Sequence, residues 1–168
     1  LHGEQVDGHD FIEEALAKNV SGLIISLRKK DELFKKFGKL LTDKHLLIVQ
    51  DPLEALLLLA KNWRAQFAYP VVAITGSVGK TTTKEMVRNI LKLTDKKFIV
   101  SFGNQNTLVG VSLNILKMRV DHDVAIFEVG IGKRGAMKEI AELLRPTYAA
   151  ITKVGYGHME GLGDISSV

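Results

Sequence analysis

Beyond Pro70 the chain falls into short apolar runs, each followed by a segment whose apolar residues recur at helical spacing. Val71-Val72-Ala73-Ile74, Phe98-Ile99-Val100-Ser101, Val124-Ala125-Ile126-Phe127 and Tyr148-Ala149-Ala150-Ile151-Thr152 read as strands. Between them, 81–91, 108–118 and 136–144 read as helices. Uniformly apolar strands alternating with amphipathic helices predict a parallel sheet covered on both faces. Before Pro70 the pattern is also mixed. Asp10 is placed to cap a helix over 11–18, with Phe11, Ile12, Ala15 and Leu16 on one face, and 22–27 reads as a strand. A short helix over 33–37 and a strand over 46–49 follow. Asp51-Pro52 is a strong helix start, a capping side chain before a proline at the first helical position. Leu53, Leu56, Leu57, Ala60, Trp63, Arg64 and Phe67 then keep helical spacing until Tyr69-Pro70. The fold class expected is α/β. A parallel-sheet core over 70–168 is preceded, over 1–69, by part of a small α/β domain and a helix that joins the two.

Composition narrows the chemistry. Of 168 residues, 46% are hydrophobic, enough for one good core or one and a half small domains. Cysteine is absent, which excludes disulfides, thiolate metal sites and cysteine nucleophiles, and fits a reducing compartment. No apolar run approaches the ~20 residues of a membrane span; the longest, Ala55 to Ala60, lies between Glu54 and Lys61. The net charge is +4, but the lysines are dispersed and Arg28-Lys29-Lys30 runs straight into Asp31-Glu32, so no nucleic-acid partner is expected. His2, His9, His45 and His122 read as surface residues. No secretory signal is read, and Leu1 in place of a methionine suggests a chain without its original start.

One segment carries specific chemistry. Thr75-Gly76-Ser77-Val78-Gly79-Lys80-Thr81-Thr82 joins the first of the four strands to its helix. Glycines let backbone N–H groups turn toward a phosphate, the helix start adds its positive dipole end, Lys80 adds a mobile charge and Thr81 offers a hydroxyl for Mg2+. The spacing is more compact than G-x-x-x-x-G-K-[ST], because Ile74 stands where the first glycine would fall. The segment predicts a P-loop core that holds ATP with Mg2+; the alternative is an ordinary glycine turn between strand and helix.

Ligands of open parallel sheets gather at the carboxyl ends of the strands. Asn104 and Asn106 follow the second strand of this region, Glu128 closes the third, and His158 follows the fourth. A carboxylate ending an apolar strand suits Mg2+, which takes one or two carboxylates, a hydroxyl and phosphate oxygens. Each also has a plainer alternative, as a helix cap for Glu128, a loop histidine for His158 and turn residues for the asparagines.

Taken together, these residues resemble the Mur ligases of peptidoglycan synthesis. The likeness is carried by 75–82, by Gly103-Asn104-Gln105-Asn106, Glu128-Val129-Gly130 and Leu144-Arg145-Pro146-Thr147-Tyr148-Ala149-Ala150-Ile151-Thr152, and by His158-Met159-Glu160-Gly161-Leu162-Gly163. The asparagine loop and Asp7-Gly8-His9-Asp10-Phe11-Ile12 favour the members that add D-alanyl-D-alanine to a UDP-N-acetylmuramoyl tripeptide. The resemblance implies transfer of the ATP γ-phosphate to a carboxylate, followed by amine attack on the acyl phosphate, with UDP-MurNAc-peptide and D-alanyl-D-alanine as substrates. It implies that Lys80 holds the β- and γ-phosphates, Thr81 and Glu128 the first Mg2+, His158 a second, and that Asn104 and Asn106 face the transferred phosphate or acceptor. It implies a cytoplasmic, monomeric enzyme of three domains. Residues 1–69 are then part of the UDP-substrate-binding domain and 70–168 the first part of the ATP-binding domain, and this piece alone is expected to complete no turnover.

The chain also departs from the family pattern. Asn106-Thr107 stands where two adjacent asparagines are frequent, and Lys133-Arg134 sits in a loop that is commonly more polar. The alternatives are another ligase of the superfamily, acting on folate or a different peptide, a small-molecule kinase, and a binding module without chemistry.

Overall fold

The computed structural model describes residues 1, 3, 6–130, 132 and 135–155, and they divide into two compact units, Leu1–Leu56 and Leu57–Val168. The division falls inside a helix.

In the first unit a 3-10 turn, Gly8–Phe11, leads into α1, Ile12–Ala17, then β1, Gly22–Ser26. A second 3-10 turn, Leu27–Lys29, precedes α2, Lys30–Phe37, and α3, Lys39–Thr42, and then β2, His45–Val49, pairs in parallel with β1 from Gly22↔His45 to Ser26↔Val49. Ile12, Ile25, Leu33 and Leu41 form its core. Two expectations are corrected here. Asp10 is not the cap: Asp7 accepts from the His9 backbone N–H and starts the chain's turn a full step earlier, so α1 follows Phe11 with no capping side chain. His9 is not a surface residue. Its Nδ1 lies 2.6 Å from Asp7 Oδ1 and its Nε2 accepts the Ser26 N–H at 3.0 Å, so both ring nitrogens are bonded and the ring is buried.

The helix α4, Pro52–Arg64, begins with Asp51 accepting the Leu53 N–H at 2.7 Å. Its last residues belong to the second unit. There Trp63 Nε1 donates to Met118 O, and the buried Arg64 guanidinium donates to Leu144 O, Phe67 O and Arg145 O at 2.7, 2.7 and 3.0 Å. Two of these carbonyls close the end of a later helix, where a cation also meets the negative dipole end. Arg64→Ala strands them, and urea unfolding of the chain should show a loss of about 2 kcal/mol.

The second unit follows the expected alternation. Its elements are β3, Val71–Thr75; α5, Lys80–Leu91; β4, Phe98–Val100; α6, Leu108–Ile115; β5, Val124–Glu128; α7, Ala136–Leu144; and β6, Tyr148–Ile151. All strands are parallel in the order β4-β5-β3-β6. Val71, Ala73, Ala125 and Phe127 pack with Val111, Ile115, Ile140 and Leu144 in the core. Cover is uneven: the residues of β6 are exposed, and among the described residues its neighbour in the sheet is β3 alone. One feature of the register positions the site. Ile74 pairs with Glu128, so the end of β5 stands beside the loop that leaves β3.

Candidate functional site

The loop between β3 and α5 is held by the segment after β6. Ser77 N–H donates to Lys153 O at 2.6 Å, Thr152 N–H to Thr75 O at 2.9 Å, and Thr152 Oγ1 to Val78 O at 2.6 Å. Ser77 Oγ exchanges hydrogen bonds with Gly155. Two glycines make the turn possible: Gly76 has φ +135° and Gly79 φ +91°, backbone regions that side chains other than glycine rarely adopt. Gly79 is also the N-cap of α5 and brings no capping side chain. In consequence the N–H groups of Gly79, Lys80 and Thr81 have no acceptor among the described residues, and they point out of a helix start, where anions bind. Lys80 folds over the loop, its Nζ 2.6 Å from Gly76 O and 3.4 Å from Ser77 O. Thr75 Oγ1, at the end of β3, is buried with no hydrogen-bond partner among the described residues.

Glu128 closes the other side. Its carboxylate is almost fully buried; Oε2 accepts from Thr81 Oγ1 at 2.9 Å and Oε1 from Asn106 Nδ2 at 3.0 Å. The backbone N–H of Glu128 donates to the buried Ser101 Oγ, which keeps the strand end in register with the segment following β4. Thr107 caps α6 through Gly110 N–H, and Asn114 ties the loop before it by bonding Gln105 Oε1, Gly110 O and the Phe102 N–H.

The structure thus brings together Thr81, Glu128 and Asn106, with Lys80 on the adjoining turn. Asn104 is exposed and its side chain makes no hydrogen bond among the described residues. Thr82 faces solvent on the first turn of α5. His158 and the Lys133-Arg134 pair lie outside the described residues.

Sequence reasoning passed over Lys84. Its side chain is fully buried, 2.5 Å from Gly103 O and 3.3 Å from Glu128 Oε2. The signal was present: three and four residues after Thr81 and Lys80, it shares their helix face. The neighbouring Glu85 carboxyl is held below the usual carboxylate range by its hydrogen bond from Arg88, with Lys84 contributing less.

In the first unit a cleft of about 770 Å³ opens beyond the ends of β1 and β2. Asp7, His9, Arg28, Lys29 and Asp51 line it.

Comparison with known proteins agrees with this architecture. The Mur ligase middle domain matches residues 74–168. UDP-N-acetylmuramoyl-tripeptide--D-alanyl-D-alanine ligases from Treponema pallidum and Escherichia coli are 36% and 34% identical to this chain, over 97% and 100% of its length. Among solved structures, MurF from Acinetobacter baumannii superimposes with a TM-score of 0.82 at 31% identity over 99% of the chain, and MurF ligase from Thermotoga maritima in complex with ADP with 0.76 at 29%. The chain spans about a third of the length of these relatives, 34% to 36%. A family match over more than half the chain, on the same strand, loop and helix that assemble Thr81 and Glu128, means that this chain belongs to the Mur ligase family.

Proposed function

We propose that this chain is part of an ATP-dependent amide ligase of peptidoglycan-precursor synthesis, which activates a UDP-N-acetylmuramoyl-peptide carboxylate for coupling to D-alanyl-D-alanine. One observation carries the reading: Thr81 and Glu128, from a helix start and a strand end, place a hydroxyl and a carboxylate oxygen 2.9 Å apart beside a helix N-terminus whose first N–H groups have no acceptor among the described residues. Two hard oxygens next to an anion cradle suit Mg2+ carried by a triphosphate, since that ion fills its remaining positions with phosphate oxygens and water. When bound, ATP supplies the phosphoryl group that makes the carboxylate an acyl phosphate, and Mg2+ offsets the charge of the triphosphate.

The protein's part is positioning and charge. The N–H groups of Gly79, Lys80 and Thr81 would hold the phosphates. Lys80 would exchange two loop carbonyls for the β- and γ-phosphates, a small movement because its ammonium already lies over the loop. Thr81 would turn its hydroxyl from Glu128 to present a lone pair. Asn106, anchored to Glu128, and the exposed Asn104 would face the transferred phosphate or the acceptor, and His158 would assist a second Mg2+. The cleft of the first unit, with Arg28 and Lys29 at its wall, would take the UDP part of the substrate. The names of the relatives and the ADP complex support this assignment, and substrates built from ATP and UDP argue for the cytoplasm. Among the described residues no helix is long and apolar enough to cross a membrane.

The test uses the full-length enzyme with ATP, Mg2+ and UDP-MurNAc-tripeptide. Adding D-alanyl-D-alanine should start continuous phosphate release matched by amide product in mass spectrometry. A stable phosphorylated substrate, formed without need of the amine, would identify a kinase and sink the proposal.

A further inference from the structure

Burying a lysine head costs several kcal/mol unless it is paired and hydrogen-bonded. Lys84 meets that demand at a junction of three segments. It starts from α5, donates to Gly103 O in the loop after β4, and lies 3.3 Å from Glu128 Oε2 at the end of β5. Glu85 Oε1 is 3.5 Å away on the solvent side. A methionine would fill the same space without burying a charge, so packing alone gives no reason for a cation here.

The charge closes a circuit. Glu128 Oε1 is taken by Asn106 Nδ2, while Oε2 receives Thr81 Oγ1 and faces Lys84. Asn106 belongs to the loop that Lys84 grips through Gly103. Rotation of the carboxylate therefore breaks at least one contact, and displacement of the loop breaks two.

We infer that Lys84 is a positioning residue of the phosphate site: its buried ammonium locks the Glu128 carboxylate and the Gly103–Asn106 loop to the helix that carries Thr81, so the carboxylate ligand is held in place before the metal arrives. The inference rests on the reading of Thr81 and Glu128 as those ligands. Groups that orient a metal ligand from behind commonly govern metal affinity by about 10- to 100-fold.

The test is made in the full-length enzyme with Mn2+ as the probe, followed by electron paramagnetic resonance in the presence of ADP. Lys84→Met should weaken Mn2+ binding at least about tenfold. Binding of ADP in the absence of metal, read by calorimetry, should change by less than about twofold, because among the described residues the Lys84 ammonium bonds Gly103, Glu85 and Glu128 and not the turn at 76–79. Unchanged Mn2+ affinity, or an equal loss of metal-free ADP binding, overturns the inference. Glu128→Gln separates the two levels. If it leaves Mn2+ binding intact, the metal reading itself fails, whereas if it abolishes binding and Lys84→Met does not, only the role of Lys84 falls. Thermal melting provides a check even should the single variant fold poorly. Lys84→Met/Glu128→Gln should melt higher than Lys84→Met, since no lone carboxylate stays buried, and additive losses overturn the pairing.

Discussion

Lys80→Ala in the full-length enzyme is expected to lower kcat/KM by about 10³-fold while the melting temperature moves by no more than about 2 °C. The asymmetry follows from its contacts. Among the described residues the ammonium bonds only Gly76 O and Ser77 O, carbonyls at a partly open loop that water can satisfy in its place. In the reaction it would face charge developing on the transferred phosphoryl group, in a site where a fixed cation is worth far more than in water. Steady-state kinetics with a parallel thermal melt reads both quantities. Unchanged kcat/KM would return the loop to an ordinary glycine turn, and a large fall in melting temperature would show that Lys80 serves the fold.

Gly76→Ala should act on fold and binding together. At φ +135° an alanine is strained before any neighbour is considered. Its Cβ would collide with Thr152 Oγ1 and stand 3.0 Å from both the backbone N and O of Lys153. Those atoms cannot give way cheaply, because Thr152 and Lys153 are the groups that brace the loop through Thr75, Ser77 and Val78. Backbone strain and overpacking add to about 3–5 kcal/mol. Urea unfolding should report that loss, and ADP affinity in the full-length enzyme should fall with it as the N–H groups at the start of α5 move out of line. Wild-type stability together with wild-type ADP binding would show that the turn tolerates a side chain.

Much of the second unit was legible because its signals are local. Four short apolar runs became β3 to β6, the helix over 136–144 has the bounds read from its periodicity, and the phosphate loop lies between the strand and helix its spacing demands. Glu128 was recognisable as a carboxylate closing an apolar strand. The first unit was less transparent. Asp7 and Asp10 are equally good caps in isolation, and only the 3-10 turn between them decides for Asp7. His9 gave no clue to its burial, since its two partners are an aspartate two residues earlier and the backbone of β1.

The amino-acid order alone determined the alternation of strands and helices, the position of the phosphate loop and the residue types offered at the strand ends, because each depends on periodicity and backbone freedom within a few neighbours. The tertiary structure decided which of those groups meet. Thr81 and Glu128 are 47 residues apart and touch because β5 lies next to β3, and Lys84, which its spacing puts on the helix face of Lys80 and Thr81, becomes a buried cation because β4, β5 and α5 converge on it. Strand order, which no short window of sequence encodes, converts a list of polar residues into one site.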